Sequence, residues 1–223
     1  DPKVLKHAVI HLLKSYFLVM WPLYLVAFML FTHPSIQFLK VGVEDLPSVW
    51  IMIAQLMFFS FAEDFSHYWI HRLLHTPWLY KNVHCVHHEF VAPSALAASY
   101  AHPVEIIMQG FATFSGPILF RPHVLVLYIW VNIRQLSAIE THSGYDFPIS
   151  PNNILSFFGG ADLHDYHHRT YNGAFSSNFI WWDVLFGTAE PYFAAKKKQA
   201  LRAAKQAAAA AAAVGNGEKS KDE

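Results

Sequence analysis

Eight of the fifteen histidines fall in three short clusters: His67-x-x-x-His71, His84-x-x-His87-His88 and His164-x-x-His167-His168. Imidazole is costly to bury in numbers unless something organises it, and the commonest organiser is a metal ion. A transition metal takes at most about six ligands, so eight clustered rings imply two metals. His67 and His71 stand four apart, on one face of a helix. Each triplet sets rings at i, i+3 and i+4, so two can face one metal and the third its neighbour. A membrane-surface helix with satisfied histidines would account for one triplet but not for its recurrence.

The other histidines divide. His142, at the end of an apolar run, is expected to complete the coordination sphere. His75 can ligate or stand behind a ligand, and His102 is a candidate for the same supporting role or for capping. His7, His11, His33 and His123 read as interfacial. Each ligating ring needs an acceptor on its other nitrogen to fix its tautomer. Asp64 and Asp165 are the carboxylates expected there, ahead of Glu89, Glu140 and Asp146, with pairing to Arg72, Arg134 or Arg169 as the alternative. Spacing does not name the metal, because imidazole suits zinc, copper, iron and nickel alike. Two zinc ions would imply hydrolysis and two irons oxygen activation.

The elements that must position these rings are membrane helices. The 223-residue chain is 54% hydrophobic and only 14% charged, against about 25% charged for a soluble domain. Tyr16–Phe31 is an apolar run, broken by Pro22 and long enough to span with help from its flanks, and Val49–Ala62 is a second, slightly shorter run. Val104–Phe120 carries Gly110, Gly116 and Pro117 and reads as a broken or re-entrant segment; His123–Ile139 is a fourth run, interrupted by Asn132 and Arg134. The last two read equally as buried helices or as a spanning hairpin. The fold expected is all-α: an integral membrane bundle of about four membrane helices with a cytosolic, histidine-rich di-metal cap. Lys3, Lys6 and Lys14 precede the first run, whereas Lys40 is set against Glu44 and Asp45 in the next loop. The positive-inside rule puts the N-terminus and all three clusters on the cytosolic side.

Charge is zero overall but uneven. Residues 196–223 hold seven Lys/Arg against three Asp/Glu, leaving nine against thirteen elsewhere. This divides the chain into a membrane-embedded domain, 1–195, and a basic Ala/Lys-rich cytosolic tail, 196–223. The excess is a tail and not a nucleic-acid-binding face. Its last residues, Lys219-Ser-Lys221-Asp-Glu, fit an endoplasmic-reticulum retrieval signal. Cys85 is the single cysteine, which excludes a disulfide framework and a thiolate metal site. The chain opens at Asp1 and not Met, so a preceding segment is expected.

Several stretches resemble the membrane fatty acid hydroxylase superfamily, and within it the C4-sterol methyl oxidases (methylsterol monooxygenases). They are His71-Arg-Leu-Leu-His75, Val86-His-His-Glu-Phe90 with Ala92-Pro93, Tyr100-Ala-His-Pro-Val-Glu105, Glu140-Thr-His-Ser-Gly-Tyr-Asp-Phe-Pro148, Gly159-Gly-Ala-Asp-Leu-His-Asp-Tyr-His-His168 and Trp181-Trp-Asp-Val-Leu-Phe-Gly-Thr188. The resemblance covers most of residues 48–192. It implies two iron ions held by His67, His71, His84, His87, His88, His142, His164, His167 and His168. It also implies O2 as co-substrate and three oxidations of a sterol C4 methyl group, through alcohol and aldehyde to carboxylate. Electrons would come from NAD(P)H through cytochrome b5 and its reductase, beside the other enzymes of sterol C4 demethylation. The chain has no Gly-x-Gly-x-x-Gly dinucleotide site of its own, in keeping with an external reductant. The basic run Lys196–Lys198 reads as a solvated tail or headgroup contact, or as a docking point for acidic cytochrome b5. Two alternatives stand beside this reading. One is a related hydroxylase or desaturase acting on another sterol position or on a fatty acyl or sphingoid lipid. The other is a non-catalytic, zinc-binding membrane protein.

Overall fold

The computed structural model describes residues 2–33, 35–36, 38–91 and 94–219. Ala92-Pro93 and residues 220–223, which make up most of the stretch read as a retrieval signal, lie outside the described residues. The chain is helical. Among the described residues there are no strands, only isolated bridges of Lys40 with His123 and Phe158 with Phe179.

Helices α1 (Pro2–Ser15) and α2 (Trp21–Thr32) form one continuous rod, joined by a π-helical turn at Tyr16–Met20. The turn has a local cause. Pro22 cannot donate to a carbonyl one turn back and its ring crowds that carbonyl, so the helix widens just ahead of it. No residue of α2 is buried. Helix α3 (Val49–Leu74) starts at Ser48, whose hydroxyl caps Ile51 N, and runs twelve residues beyond the apolar stretch to carry His67 and His71. A short α4 (Pro77–Asn82) leads into a 3-10 turn at His84–Glu89, and a second such turn covers Ala95–Ser99.

Helices α5 (Pro103–Phe120) and α6 (Val124–Thr141) form a hairpin. The break expected within 104–120 is absent: α5 is continuous through Gly110, Gly116 and Pro117. Gly116 serves packing, since a Cβ there would come within 2.7 Å of the Phe59 backbone on α3. A small residue lets the two helices approach closely. Phe59, Val126 and Trp130 form the buried centre of this three-helix unit.

The remainder is α7 (Pro151–Ile154), α8 (Gly160–Thr170), α9 (Trp181–Leu185) and α10 (Glu190–Lys219). Helix α10 runs unbroken through residue 196. Its first turns lie on α8, where Tyr192 Oη donates to Asp162 Oδ2 at 2.6 Å and Lys196 pairs with the same carboxylate at 2.9 Å. Among the described residues, Pro2–Thr32 and Val49–Leu74 are long and apolar enough to cross a membrane. Large apolar side chains such as Leu18, Met29, Trp50 and Met57 are well exposed on both.

Candidate metal centre

The histidine-bearing segments meet at one end of the bundle: the C-terminal turns of α3, the 84–89 turn, the end of α6 and helix α8. Nine rings converge there in two groups, each drawn so that its ligand nitrogens lie within 4.8 Å of one another. The first holds His71, His75, His84, His88 and His167, and the second His87, His142, His164 and His168. Each triplet is shared. His84 and His88 face the first group and His87 the second, whereas His164 and His168 face the second and His167 the first. The 84–88 triplet does this from a 3-10 turn and not the α-helix its spacing predicted.

The decisive feature is the direction of the nitrogens. His71 Nδ1 lies 2.9 Å from Phe175 O, His87 Nδ1 3.1 Å from Tyr100 O, and His142 Nδ1 2.7 Å from Ala138 O. His167 Nδ1 lies 2.7 Å from Gly173 O and His168 Nδ1 3.1 Å from Phe90 O. A carbonyl only accepts, so in these rings the hydrogen is on Nδ1 and Nε2 is a bare lone pair. His87 and His142 turn two such lone pairs toward each other, and those of His142 and His167 also face the Nε2 atoms of neighbouring imidazoles. His87 and His142 have Nε2 atoms 3.3 Å apart, and His164 Nε2 is 2.8 Å from His142 Nε2. In the first group, His167 Nε2 lies 3.1 Å from His75 Nε2 and 3.2 Å from His88 Nε2. The Nε2 of His71 is buried with no hydrogen-bond partner. Two lone pairs cannot bond each other, but they can share a cation. Metal–imidazole bonds of about 2.1 Å set neighbouring nitrogens roughly 3 Å apart, so both groups fit a metal ion.

Burial reinforces this. It lowers His75 and His87 from 6.5 to about 4, His75 with help from the charge of His87 and His87 against the pull of the Tyr100 carbonyl. His168 falls to about 3, mainly through burial and then the charge of His87, opposed by the Phe90 carbonyl. His84, His88, His142, His164 and His167 are also lowered well below the usual imidazole value, by burial first and by mutual repulsion second. All are neutral at pH 7, the state a metal requires.

The other expected site residues are placed differently. His67 stands outside both groups, its Nδ1 3.6 Å from Glu63 Oε1 and its ring 5.3 Å from His71. His75, read as ligand or support, sits within the first group. His102 caps α5, accepting from Val104 N at 3.2 Å. Asp64 does not back an imidazole; its Oδ1 accepts from Asn178 N at 2.7 Å and Phe179 N at 3.1 Å. Asp165 pairs with Arg169 at 2.9 Å, half-exposed and away from the rings. His11 and His123, read as interfacial, contact Ala101 O and Gly42 O, at 3.1 Å and 3.2 Å.

Among the described residues, the carboxylates that reach imidazoles are Glu63, beside His67, and Glu105, whose Oε1 is 2.8 Å from His84 Nδ1. Spacing hid Glu105, which lies on α5 and reaches His84 only once the chain has turned back. Asp183 was also missed. Buried within the Trp-Trp-Asp stretch, it accepts from Phe175 N at 2.8 Å, Ser176 N at 2.9 Å and Thr188 Oγ1 at 2.6 Å. It thereby fixes the segment whose Phe175 carbonyl orients His71.

A cavity of 370 Å³ opens from the histidines, within the range of about 300–1,000 Å³ typical of ligand pockets. His67, His71, His87 and His142 form its floor, and its walls include Leu23 and Phe31 of α2 and Phe111 and Phe114 of α5. It follows α5 from Glu105 to Ile118, about 20 Å at the helical rise. The arrangement is a pair of histidine groups, each able to hold a metal ion, at one end of a long apolar channel.

The sequence model of the fatty acid hydroxylase family matches residues 56–188. The chain is 46% identical over 172 residues to very-long-chain aldehyde decarbonylase GL1-11 of Oryza sativa subsp. indica, covering 75% of this chain and 65% of the relative. Against GL1-8 of the same organism it is 50% identical over 159 residues, covering 70% and 58%. Methylsterol monooxygenase 2-2 of Arabidopsis thaliana is 46% identical over 184 residues, covering 81% and 68%. The chain thus spans less than two thirds of the two decarbonylases' lengths. No solved structure matches it significantly.

Proposed function

We propose that this chain, which belongs to the fatty acid hydroxylase family, oxidises the C4 methyl group of 4-methylsterols to alcohol, aldehyde and carboxylate in sterol biosynthesis. The observation that carries the reading is the apolar cavity, about 20 Å along α5, with histidines at one end. A rigid, elongated hydrocarbon with its reacting carbon at one extremity matches that shape.

His71, His75, His84, His88 and His167 would hold one iron and His87, His142, His164 and His168 the other, with His67 beside them. The iron pair, when bound, supplies the activation of O2 that an unactivated C–H bond requires. Each oxidation takes one O2 with two electrons and two protons and releases water. The electrons come from NAD(P)H by way of cytochrome b5 and its reductase. The chain's own residues do the rest. Backbone carbonyls orient the imidazoles, and the apolar walls from Leu23 to Phe114 exclude water from the floor where the methyl group sits. The products are handed to the other enzymes of C4 demethylation.

In this reading α5 and α6 cross the bilayer as a hairpin beside the rod 2–32 and α3, giving four membrane helices. The histidines and both termini are then on the cytosolic face of the endoplasmic reticulum. Residues 1–195 form the oxygenase domain and 196–223 its cytosolic tail.

A second reading rests on the relatives named aldehyde decarbonylases, at 46% and 50% identity. The same channel would then take a long-chain aldehyde. Incubation of the membrane-reconstituted chain with 4,4-dimethylsterol, O2 and reductant decides between them. The C4 carboxylic acid is the expected product; turnover of a long-chain aldehyde with no sterol oxidation overturns the proposal in favour of the second reading.

A further inference from the structure

Most imidazoles of the metal centre whose Nδ1 partner is defined rest on backbone carbonyls, but His84 faces a carboxylate. Glu105 Oε1 is 2.8 Å from His84 Nδ1, an ion-pair contact; both side chains are almost wholly buried, and neither His84 Nδ1 nor Glu105 Oε2 has a hydrogen-bond partner. A buried carboxylate with an orphaned oxygen is costly unless a positive charge is near. The geometry offers one: a cation on the far nitrogen of His84, which belongs to the first histidine group. The other carboxylate near the rings, Glu63, is compensated differently. Arg134 Nη2 reaches its Oε1 at 2.9 Å and Asn178 Nδ2 its Oε2 at 3.2 Å, and its contact with His67 is longer, at 3.6 Å.

We propose that Glu105 is a positioning residue for the first metal alone. Its carboxylate, within ion-pair distance of His84 Nδ1, would take the Nδ1 hydrogen once an ion sits on the far nitrogen, holding Nε2 inward and strengthening that nitrogen as a donor. The two ions are therefore unequal: the first draws extra electron density through His84, whereas in the second group His87, His142 and His168 rest on neutral carbonyls. Carboxylates behind metal-bound imidazoles typically change affinity by about 10–100-fold. The inference rests on the two-metal reading and is independent of the substrate.

The test is a ferrous iron titration of the full chain in detergent under anaerobic conditions, with Mössbauer spectra of the loaded protein. Glu105→Gln should weaken one of the two iron sites by about 10–100-fold, leave the other unchanged and alter one of two quadrupole doublets. In a His87→Ala background, which disables the second group, the remaining site should stay sensitive to Glu105→Gln. In a His167→Ala background it should not. A Glu105→Gln chain that fails to keep its helical content is replaced by Glu105→Asp, whose retracted carboxylate should weaken the same site. Unchanged affinities, or equal weakening of both sites, would overturn the proposal. Wild-type protein that binds fewer than two irons would instead overturn the two-metal reading beneath it.

Discussion

The indole Nε1 of Trp130 donates to the carbonyl of Thr113 at 2.8 Å. That carbonyl is the one Pro117, four residues on, would have satisfied had it carried an N–H. Proline inside a helix frees a carbonyl, and an unpaired buried carbonyl is costly. Here a tryptophan of the neighbouring helix, itself 1% exposed, takes the bond and ties α6 to α5. Trp130→Phe should therefore cost about 1–3 kcal/mol, from the orphaned carbonyl and the smaller ring. Denaturation of the detergent-solubilised protein should show that loss with two metals still bound. Unchanged stability would mean the helix adjusts around Pro117 without help.

The same pair shows why α5 was hard to read. Gly110, Gly116 and Pro117 are breakers by local propensity, and Val104–Phe120 reads as interrupted. Gly116 instead meets Phe59 of α3, and Pro117 is relieved by Trp130 of α6. Both compensations come from other helices, which local spacing does not encode. The histidine groups were more legible because each triplet is a local repeat whose periodicity already separates two facing directions. The supporting carboxylates were not. Asp64 is three residues before His67, yet it binds Asn178 N and Phe179 N, while Glu105 reaches His84 only across a chain reversal.

The division of the rings predicts separable losses. His167→Ala removes a ring from the first group, His87→Ala one from the second. Each should lower bound iron from two towards one per chain and abolish turnover, since the chemistry needs the pair. Metal analysis after gel filtration, beside a product assay, checks both; sterol oxidation retained in either variant would sink the site assignment.

Gly173 holds φ at +77°, and a Cβ there would lie 2.1 Å from Thr188 O. Its own carbonyl receives His167 Nδ1 at 2.7 Å. Gly173→Ala adds left-handed strain of about 1–2 kcal/mol and a clash with backbone. The segment must shift, taking the acceptor from His167. Iron affinity should fall by about 10–100-fold although no ligand is altered, which the same titration reads directly. Normal affinity would show that the carbonyl is not what orients the ring.

Burial makes metal-free stability depend on acid. His75 and His87 titrate near 4 and His168 near 3 when folded, against 6.5 for the free group. Below pH 6.5 the unfolded chain binds protons that the folded chain refuses, so unfolding is favoured as pH falls. The penalty is absent above pH 6.5 and grows progressively as pH falls towards 3. Urea unfolding of chelator-treated protein from pH 7.5 to 4 should trace that decline, and bound metal should oppose it because the ion takes the same lone pairs. A flat profile would mean the rings are already charged or wet in the metal-free fold.

Gly110 gives the sharpest means of separating the two substrate readings. It lines the channel one and a half turns along α5 from Glu105, and a Cβ placed on it meets nothing within 4 Å. Gly110→Leu therefore adds bulk to the cavity without a clash at its first carbon, and replaces a weak helix former by a strong one. A flat, fused-ring sterol needs the full width of the channel, whereas a linear aldehyde can thread past a side chain by rotating its own bonds. The variant should keep both metals and its stability while sterol oxidation falls by at least tenfold, chiefly through KM. Activity on a long-chain aldehyde, if the wild type has any, should change little. Loss of both activities together would place Gly110 in the packing of α5, and loss of the aldehyde activity alone would reverse the proposed substrate order.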